Sequence, residues 1–256
     1  MDRQQRRSTF DEVAELYDRA RPAYPDALFD DLVELAGLQP RSRVVEVGCG
    51  TGKATLPLAG RGLRITCVEL GASMTAVARR KLALFPGVHV VNADFESWEP
   101  ARTDYDALVS FTAFHWIERE LRYPRAAALL REGGAIAIAM AHHVLPSDAD
   151  PFFLDVQADY DAVGLGGNPP GPPEAVEAFA EEMDASGLFR VVAERRYRWD
   201  VEYTAQTYVD VLSTYSDHRS QEEASRMRLF DLMRARIGDG TVRKTYLATL
   251  DVGVRI

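Results

Sequence analysis

Val44-Val-Glu-Val-Gly-Cys-Gly-Thr-Gly52 is the stretch that decides the fold of this chain. An apolar run of strand type ends at Gly48, and Gly50 and Gly52 follow at alternate positions before a helical segment. Glycine adopts positive φ and lets a ligand approach the backbone, and the start of a helix offers unpaired N–H groups. Open α/β sheets bind ligands at the carboxyl ends of their strands. The segment therefore predicts a ligand-binding loop after the first strand.

Outward from this loop, strand-like and helical patterns alternate along the chain. The predicted strands after the first are 63–70, 88–91, 105–111 and 135–141, and the predicted helices are 54–59, 72–84 and about 121–130. Strands separated by helix-length segments indicate βαβ units and a parallel sheet. Two further β-like runs lie at 189–199 and 242–254.

The pattern predicts one domain over residues 1–256. Amino-terminal lid helices are expected at about 9–36, with Pro22 and Pro25 separating them. The core is expected at about 40–141, 188–203 and 242–256. Two helical cap insertions are expected at about 142–187 and 204–240, the first with helices near 151–163 and 174–186.

Composition narrows the classes of partner. Acidic residues number 39 against 30 basic ones, a formal charge of −9, which argues against nucleic acid as a partner. No apolar run has the length of a membrane span, and the polar start does not resemble a signal peptide, so we expect a cytoplasmic protein without a membrane partner. Cys49 and Cys67 lack metal-ligand or disulfide-framework spacing, and the histidines show none either, so no metal site is predicted. The oligomeric state is not determined by the sequence.

Two cofactor classes compete for the glycine loop. A dinucleotide fold has the pattern G-x-G-x-x-G, whereas here Gly52 stands one residue early and Lys53 occupies the expected position. Glu69 ends the second strand about 20 residues on, where either class presents ribose hydroxyls, and a carboxylate can accept both protons. Glu46 within the apolar first strand requires a partner, which a cationic ligand or a network of donors would supply.

Four segments, in order and at suitable spacing, resemble the class I S-adenosylmethionine-dependent methyltransferases. They are Val44–Gly52, Val68-Glu-Leu70, Asn92-Ala-Asp-Phe-Glu96 and Leu129-Leu-Arg-Glu-Gly-Gly134. The resemblance implies an α/β fold, Rossmann-like, with a seven-stranded mostly parallel sheet whose last strand is antiparallel, plus helical cap insertions. It implies S-adenosyl-L-methionine as cofactor and S-adenosyl-L-homocysteine as product. The cofactor-binding residues it implies are Arg21, Glu46, Gly48, Cys49, Gly50, Thr51, Gly52, Glu69, Leu70, Met74, Asp94, Phe95 and Phe111.

Some of these roles stay open at this point. Glu46 either organises the loop or approaches the methionine amine, and Arg21 either braces the amino-terminal helices or pairs with the cofactor carboxylate. Met74 is either core or cofactor wall. Asp94 is expected on the exocyclic amine of adenine, with Phe95 beside the ring.

Two weaker matches narrow the subgroup to small-molecule methyltransferases. Tyr17–Pro25 resembles an amino-terminal segment that folds over the cofactor, and Ser110–Ile117 resembles relatives of trans-aconitate and ubiquinone-biosynthesis methyltransferases. The substrate-binding candidates are Tyr24, Phe114, Trp116, His142 and His143. His115 is the candidate catalytic base, with a wall histidine as the alternative.

The predicted function is transfer of a methyl group to O, N or C of a small-molecule acceptor by direct displacement. Aromatic residues in the insertions favour an apolar or aromatic acceptor, unless they form the core of the cap; they are Phe152, Phe153, Tyr160, Tyr208 and Tyr215. The alternatives are a cofactor-binding protein of the same fold with a cyclase-like or regulatory role, and an NAD-dependent oxidoreductase.

Overall fold

Seven strands form one sheet in the structure, a computed structural model that describes residues 11–256. They are β1 (Arg43–Val47), β2 (Arg64–Glu69), β3 (Val88–Asn92), β4 (Tyr105–Phe111), β5 (Leu130–His143), β6 (Phe189–Thr204) and β7 (Thr241–Arg255). The order is β3-β2-β1-β4-β5-β7-β6. Neighbours from β3 through β5 pair in parallel, and β7 runs antiparallel to β5. The predicted fold class is confirmed.

Eleven α-helices occur among residues 11–256. They are α1 (Ala14–Ala20), α2 (Asp26–Leu35), α3 (Thr55–Gly60), α4 (Ala72–Lys81), α5 (Arg119–Leu129), α6 (Phe152–Asp155), α7 (Gln157–Ala162), α8 (Ala180–Ala185), α9 (Ala205–Leu212), α10 (Ser216–Arg219) and α11 (Glu223–Ile237). Short 3₁₀ turns cover Asp11–Val13, Phe114–Trp116 and Pro173–Ala175. The start of the lid segment predicted at Thr9 and Phe10 lies outside the described residues.

Proline placement explains where the helices differ from the predicted ones. Pro57 is the third residue of α3, inside the first turn, where a backbone N–H has no intrahelical partner to lose. The helix predicted at 174–186 is reduced to α8, because Pro173–Ala175 form a 3₁₀ turn and Val176 then has extended backbone. The helix predicted at 151–163 is present as α6 and α7, which meet at Val156.

Strand β5 begins five residues before its predicted start. Leu130 pairs with Tyr105, and the register then shifts so that Ala107 pairs with Ala135. Gly133, with a φ of 68°, lies within this irregularity. Gly133 and Gly134, which end the segment Leu129–Gly134, thus lie at a bulge inside the strand.

The chain divides into two compact units. Unit 1 comprises Met1–Pro22, His142–Val176 and Arg198–Leu247, of which residues 11 onward are described; unit 2 comprises Ala23–Ala141, Glu177–Tyr197 and Ala248–Ile256. Unit 2 has a core of strand residues and of α5, including Val45, Leu108 and Ile136. Unit 1 has its own core, which includes Phe153, Tyr208 and Phe230. Each unit therefore buries an apolar cluster of its own.

None of the helices between residues 11 and 256 combines the length and the apolar character that crossing a bilayer requires.

Candidate active site

The carboxyl ends of four parallel strands meet at one edge of the sheet in unit 2. Val47 of β1 pairs with Val68 of β2 on one side and with Ser110 of β4 on the other. Glu69, the last residue of β2, pairs with Asn92, the last of β3. Because these registers are level, the segments that follow each strand start side by side. The sequence-predicted cofactor motifs of β1, β2 and β3 are therefore brought together.

The glycine loop after β1 depends on left-handed backbone at three positions. Gly48, Gly50 and Gly52 have φ angles of 68°, 57° and 79°. A Cβ on Gly48 would lie 2.4 Å from Cβ of Ala113, so close packing excludes any side chain there. A Cβ on Gly50 would meet no atom within 4 Å, so the backbone at this position faces open space. Gly48 thus seats the loop, and Gly50 leaves room for a ligand against the main chain.

Glu69 ties the loop to the end of β2. Its Oε2 accepts a hydrogen bond of 2.8 Å from Gly50 N–H, and its Oε1 accepts one of 2.8 Å from Gly71 N–H. Two charge-assisted bonds hold the carboxylate in one orientation beside the glycine loop. The geometry suits a carboxylate that accepts a pair of hydroxyl protons.

Asn92 is a supporting residue to which sequence reasoning gave no role. Its Nδ2 donates to the carbonyl oxygens of Glu69 and Leu70, at 2.9 and 2.8 Å. These bonds fix the segment after β2 that presents Leu70. The signal was present in the sequence as an amide at the end of a strand beside the acidic motif.

Glu46 is buried in the middle of the sheet, with 1% of its surface exposed. Burial raises the pKa of its carboxyl to about 8, while a hydrogen bond from Thr55 lowers it and the charge of Glu69 raises it again. Its Oε1 has no hydrogen-bond partner, and neither has Oγ1 of the buried Thr51. An orphaned buried acceptor next to a ligand loop is the feature that a bound donor would satisfy.

Cys49 is a buried residue of the loop rather than an exposed thiol. Its Sγ lies 3.7 Å from the carbonyl oxygen of Gly50, and the hydrogen bond to Cys67 together with burial raises its pKa. A thiol held in its neutral form is a poor nucleophile, so its contribution is packing of the loop.

In the segment Asn92–Glu96, which is predicted to contact adenine, Asp94 shapes a turn and Phe95 packs in the core. Oδ1 of Asp94 accepts a bond of 3.2 Å from Glu96 N–H and so shapes the turn after β3. Phe95 is 3% exposed and packs in the core of unit 2, with the guanidinium of Arg125 5.5 Å from its ring. Its position beside a cofactor ring stays a prediction. Met74, on α4, is also buried, at 3% exposure.

Tyr24 and Phe111 belong to an aromatic cluster at the end of β4. The ring centroid of Tyr24 lies 5.3 Å from that of Phe111 and 6.3 Å from that of Phe29. Its hydroxyl bonds to Oγ1 of Thr112, which also accepts from Ala141 N–H at 3.1 Å. Thr112 has a φ of 49°, a strained value for a β-branched residue, at the ligand-binding edge of the sheet. Sequence reasoning assigned no role to Thr112.

The segment after β4 separates its predicted substrate residues. Phe114 is fully buried and packs edge-on against Tyr123 and Phe179, and its role as a substrate contact stays a prediction. His115 is exposed, with its ring centroid 4.7 Å from that of the half-buried Trp116. Both rings belong to the 3₁₀ turn that begins at the carboxyl edge of β4.

Arg21, His142 and His143 belong to unit 1. Arg21 donates from Nε to Oγ1 of Thr214 at 2.7 Å and from Nη2 to its carbonyl oxygen at 3.0 Å. The sequence left Arg21 either as a brace of the amino-terminal helices or as a partner of the cofactor carboxylate. These contacts are of the bracing kind. His143 packs against Phe153, with ring centroids 4.5 Å apart, and burial, with the charge of Lys244 second, lowers its pKa to about 2. His142 is half-buried at the end of β5.

Comparison with known proteins agrees with this geometry. The methyltransferase domain family matches residues 44–134, which span the glycine loop through the turn into β5. An uncharacterized methyltransferase of Mycobacterium tuberculosis is 24% identical over 226 residues, covering 88% of this chain and 84% of the relative. A trans-aconitate 2-methyltransferase of Paracidovorax citrulli is 35% identical over 127 residues, covering 48% of this chain and 45% of the relative.

Among solved structures, a provisionally assigned type II methyltransferase of Anaeromyxobacter dehalogenans has the same fold. Its TM-score is 0.65 at 22% identity, and the alignment covers 91% of this chain and 97% of that one. Residues 44–134 match a methyltransferase domain, which supports S-adenosylmethionine-dependent methyl transfer, and the structural likeness shows the fold.

Proposed function

We propose that the edge formed by β1, β2 and β3 holds S-adenosylmethionine, with each predicted residue in a specific role. The backbone of Gly48–Gly52 lies along the cofactor, with Gly50 as the point of closest approach. Glu69 accepts the ribose hydroxyls, and Asp94 accepts from the exocyclic amine of adenine. Leu70 and Met74 supply apolar contact for the adenine. The open space at Gly50 and the fixed carboxylate of Glu69 carry this assignment.

The buried pair of Glu46 and Thr51 would serve the methionine part of the cofactor. Oε1 of Glu46 and Oγ1 of Thr51 are acceptors without partners, and an ammonium group is a donor with three hydrogens. A cation near Glu46 would favour its ionised form and so reverse the pKa rise that burial causes. Arg21 stays a candidate for the cofactor carboxylate, although its present contacts to Thr214 brace unit 1.

The reaction we propose is direct displacement on a small-molecule acceptor. When bound, the cofactor supplies a methyl group on a sulfonium that is already a good leaving group, so the chain mainly orients the acceptor and excludes water. The candidate substrate contacts are Tyr24, Phe114, Trp116, His142 and His143, and Phe111 is a candidate cofactor contact. His115 would transfer a proton only if the acceptor carries one, and its side chain is exposed to solvent.

The identity of the acceptor does not follow from the named relatives. The match to trans-aconitate 2-methyltransferases spans about half of each chain. We therefore propose only a small molecule that accepts on O, N or C.

Calorimetry with S-adenosylmethionine, S-adenosylhomocysteine and NADH tests the cofactor assignment. We expect micromolar binding of the first two and none of NADH. Glu69→Gln keeps the size of the side chain but turns one acceptor into a donor facing an N–H group, so we expect about 10- to 100-fold weaker binding of S-adenosylhomocysteine. Glu132→Gln, an exposed glutamate of β5, is the matched control. Binding of NADH alone, or unchanged affinity in Glu69→Gln, would contradict the assignment.

A further inference from the structure

Unit 1 contains a cavity of about 340 Å³. Its walls combine aromatic and aliphatic surface with a few polar groups; they include His143, Phe153, Tyr160, Tyr208, Tyr215 and Lys244. A volume of this size and a mostly apolar lining with a few polar groups are typical of small-molecule sites.

Lys244 gives the cavity a buried positive charge. It is 1% exposed, and no carboxylate of residues 11–256 lies within ion-pair distance of its ammonium. Its Nζ donates to Oη of Tyr215 at 2.9 Å and lies 4.9, 5.2 and 5.8 Å from the ring centroids of Tyr215, Tyr246 and Tyr208. Aromatic faces attract the ammonium, yet they offset only part of the cost of removing it from water. The charge is buried without a counter-ion among these residues.

A second cation lies close to the ring of Tyr215. The guanidinium carbon of Arg21 lies 4.0 Å from the centroid of that ring and is fixed by its bonds to Thr214. Burial raises the pKa of Tyr215, but the charges of Lys244 and Arg21 outweigh it and lower the pKa to about 8. The charge of Lys244 also contributes to the low pKa of His143. The positions of Lys244 and Arg21 beside Tyr215 thus make the interior of the cavity positive.

Negative charge is found only at the rim of this cavity among its described lining residues. Asp217 is the one carboxylate there, its side chain is 77% exposed, and its Oδ1 is engaged by His218. His218 in turn bonds through Nε2 to the hydroxyl of Tyr160 at 2.8 Å. The rim carboxylate therefore leaves the interior positive.

We propose that this cavity binds a small acid, whose anionic group lies against Nζ of Lys244 and Oη of Tyr215. The flat or apolar body of the acid packs on Phe153, Tyr208 and Leu212.

The contacts of Lys244 with the tyrosine rings also explain why a cationic ligand does not fit this cavity. A cage of tyrosines is the usual receptor for an ammonium ligand, but here the protein's own ammonium occupies those rings. A second cation would be repelled by Lys244 in a site from which water is largely excluded. Two buried atoms without hydrogen-bond partners, Nε2 of His143 and Oε1 of Gln157, remain to orient the rest of the ligand.

Three probes with the same naphthalene body separate the charge of the ligand from its shape. They are 2-naphthoate, 2-naphthamide and 2-naphthylmethylammonium, titrated by calorimetry into the intact chain. We expect the acid to bind at least about tenfold tighter than the amide, because a hydrogen bond to a charged group is stronger than a neutral one, and the ammonium to bind weakest. Equal affinity for acid and amide would overturn the inference.

Variants test the residue that carries the inference. Lys244→Met should abolish the preference for the acid, whereas Lys81→Met, the same change on α4 of unit 2, should preserve it. A preference that persists in folded Lys244→Met refutes the proposal. If Lys244→Met does not fold, Tyr215→Phe should still reduce the preference severalfold, and an unchanged preference there refutes the proposal equally.

Two further measurements show where 2-naphthoate binds and whether this inference can fail separately from the cofactor assignment. Amide chemical shifts should move on addition of 2-naphthoate at Gly166, Asn168 and Gln221, which line the cavity, and shifts confined elsewhere would contradict it. S-adenosylhomocysteine is titrated into the same samples. Its binding without any preference for the acid overturns this inference alone, whereas the absence of its binding overturns the proposed function.

Discussion

Glu46→Gln is expected to stabilise the unliganded protein, although Glu46 is one of the residues proposed to bind the cofactor. The carboxyl is 1% exposed, and burial raises its pKa from 4.5 to about 8. At neutral pH the folded chain therefore holds a proton on Glu46 that the unfolded chain releases. A glutamine side chain has nearly the same shape and carries no charge, so it avoids this proton uptake.

The magnitude follows from the two pKa values. At pH 7 the unfolded glutamate is about 2.5 units above its pKa, and each unit is worth 1.36 kcal/mol, so protonation on folding costs about 3 kcal/mol. The unfolded state binds fewer protons than the folded one between pH 4.5 and 8, so the stability of the wild-type chain falls as pH rises through that window. The advantage of the variant is absent below pH 4.5 and complete above pH 8.

Urea unfolding of both proteins from pH 4 to pH 8 measures this difference. We expect the two free energies of unfolding to agree at pH 4 and to diverge by about 1.4 kcal/mol per unit above pH 4.5. Glu132→Gln, at an exposed position, should show no such divergence. A constant difference across the range, or a variant that is less stable at pH 7, would refute the reasoning.

Three further predictions concern the loop and the cavity. Gly48→Ala places a Cβ 2.4 Å from Cβ of Ala113 at a φ of 68°, so urea unfolding should show a stability loss of more than about 3 kcal/mol. The Cβ of Gly50→Ala meets no atom, so this variant should lose only about 1 kcal/mol of stability and should instead bind S-adenosylhomocysteine more weakly. Equal stability losses in the two variants would contradict this prediction. Tyr215 should ionise near pH 8 in an ultraviolet titration. The free energy of unfolding should rise from pH 8 to 10, because the unfolded chain binds more protons than the folded chain in that range. A titration signal that persists in Tyr215→Phe would exclude Tyr215 as its source. His143, whose pKa is lowered to about 2, should show no protonation by NMR down to pH 5. The free energy of unfolding should fall by about 1.4 kcal/mol for each pH unit below 6.5, and His143→Gln should remove this slope. A His143 ring that titrates near pH 6.5 would disprove the prediction.

The glycine loop joins two structural demands in a short segment. Gly48 is required because a neighbour fills the space of its Cβ, while Gly50 is required because the space beside it must stay open. The same residue type thus meets opposite requirements at positions two residues apart, and only the packing around each position distinguishes them. Glu69 links both needs, since its bonds to Gly50 and Gly71 hold the loop at the end of β2.

The sequence by itself determined the sheet of unit 2 and the edge at which the cofactor motifs lie. Short apolar runs followed by glycine or acidic residues are local signals, and parallel strands bring their carboxyl ends to one edge whatever the rest of the chain does. Strand β4 was therefore predicted with its observed bounds, and β1, β2 and β3 to within one or two residues. Loop-forming glycines and the strand-end glutamate were recognisable for the same reason.

Only the tertiary structure decided which aromatic residues are core and which line a cavity. Phe95 and Phe114 stand in motifs of cofactor and substrate type, yet neighbours far along the chain bury both rings. Lys244 gave no signal, because a lysine in an alternating strand is ordinarily solvated. Its burial among Tyr208, Tyr215 and Tyr246 joins residues of β7 with residues of α9 and of the segment before α10. Burial and electrostatic potential are sums over residues distant in sequence, and a local pattern cannot contain them.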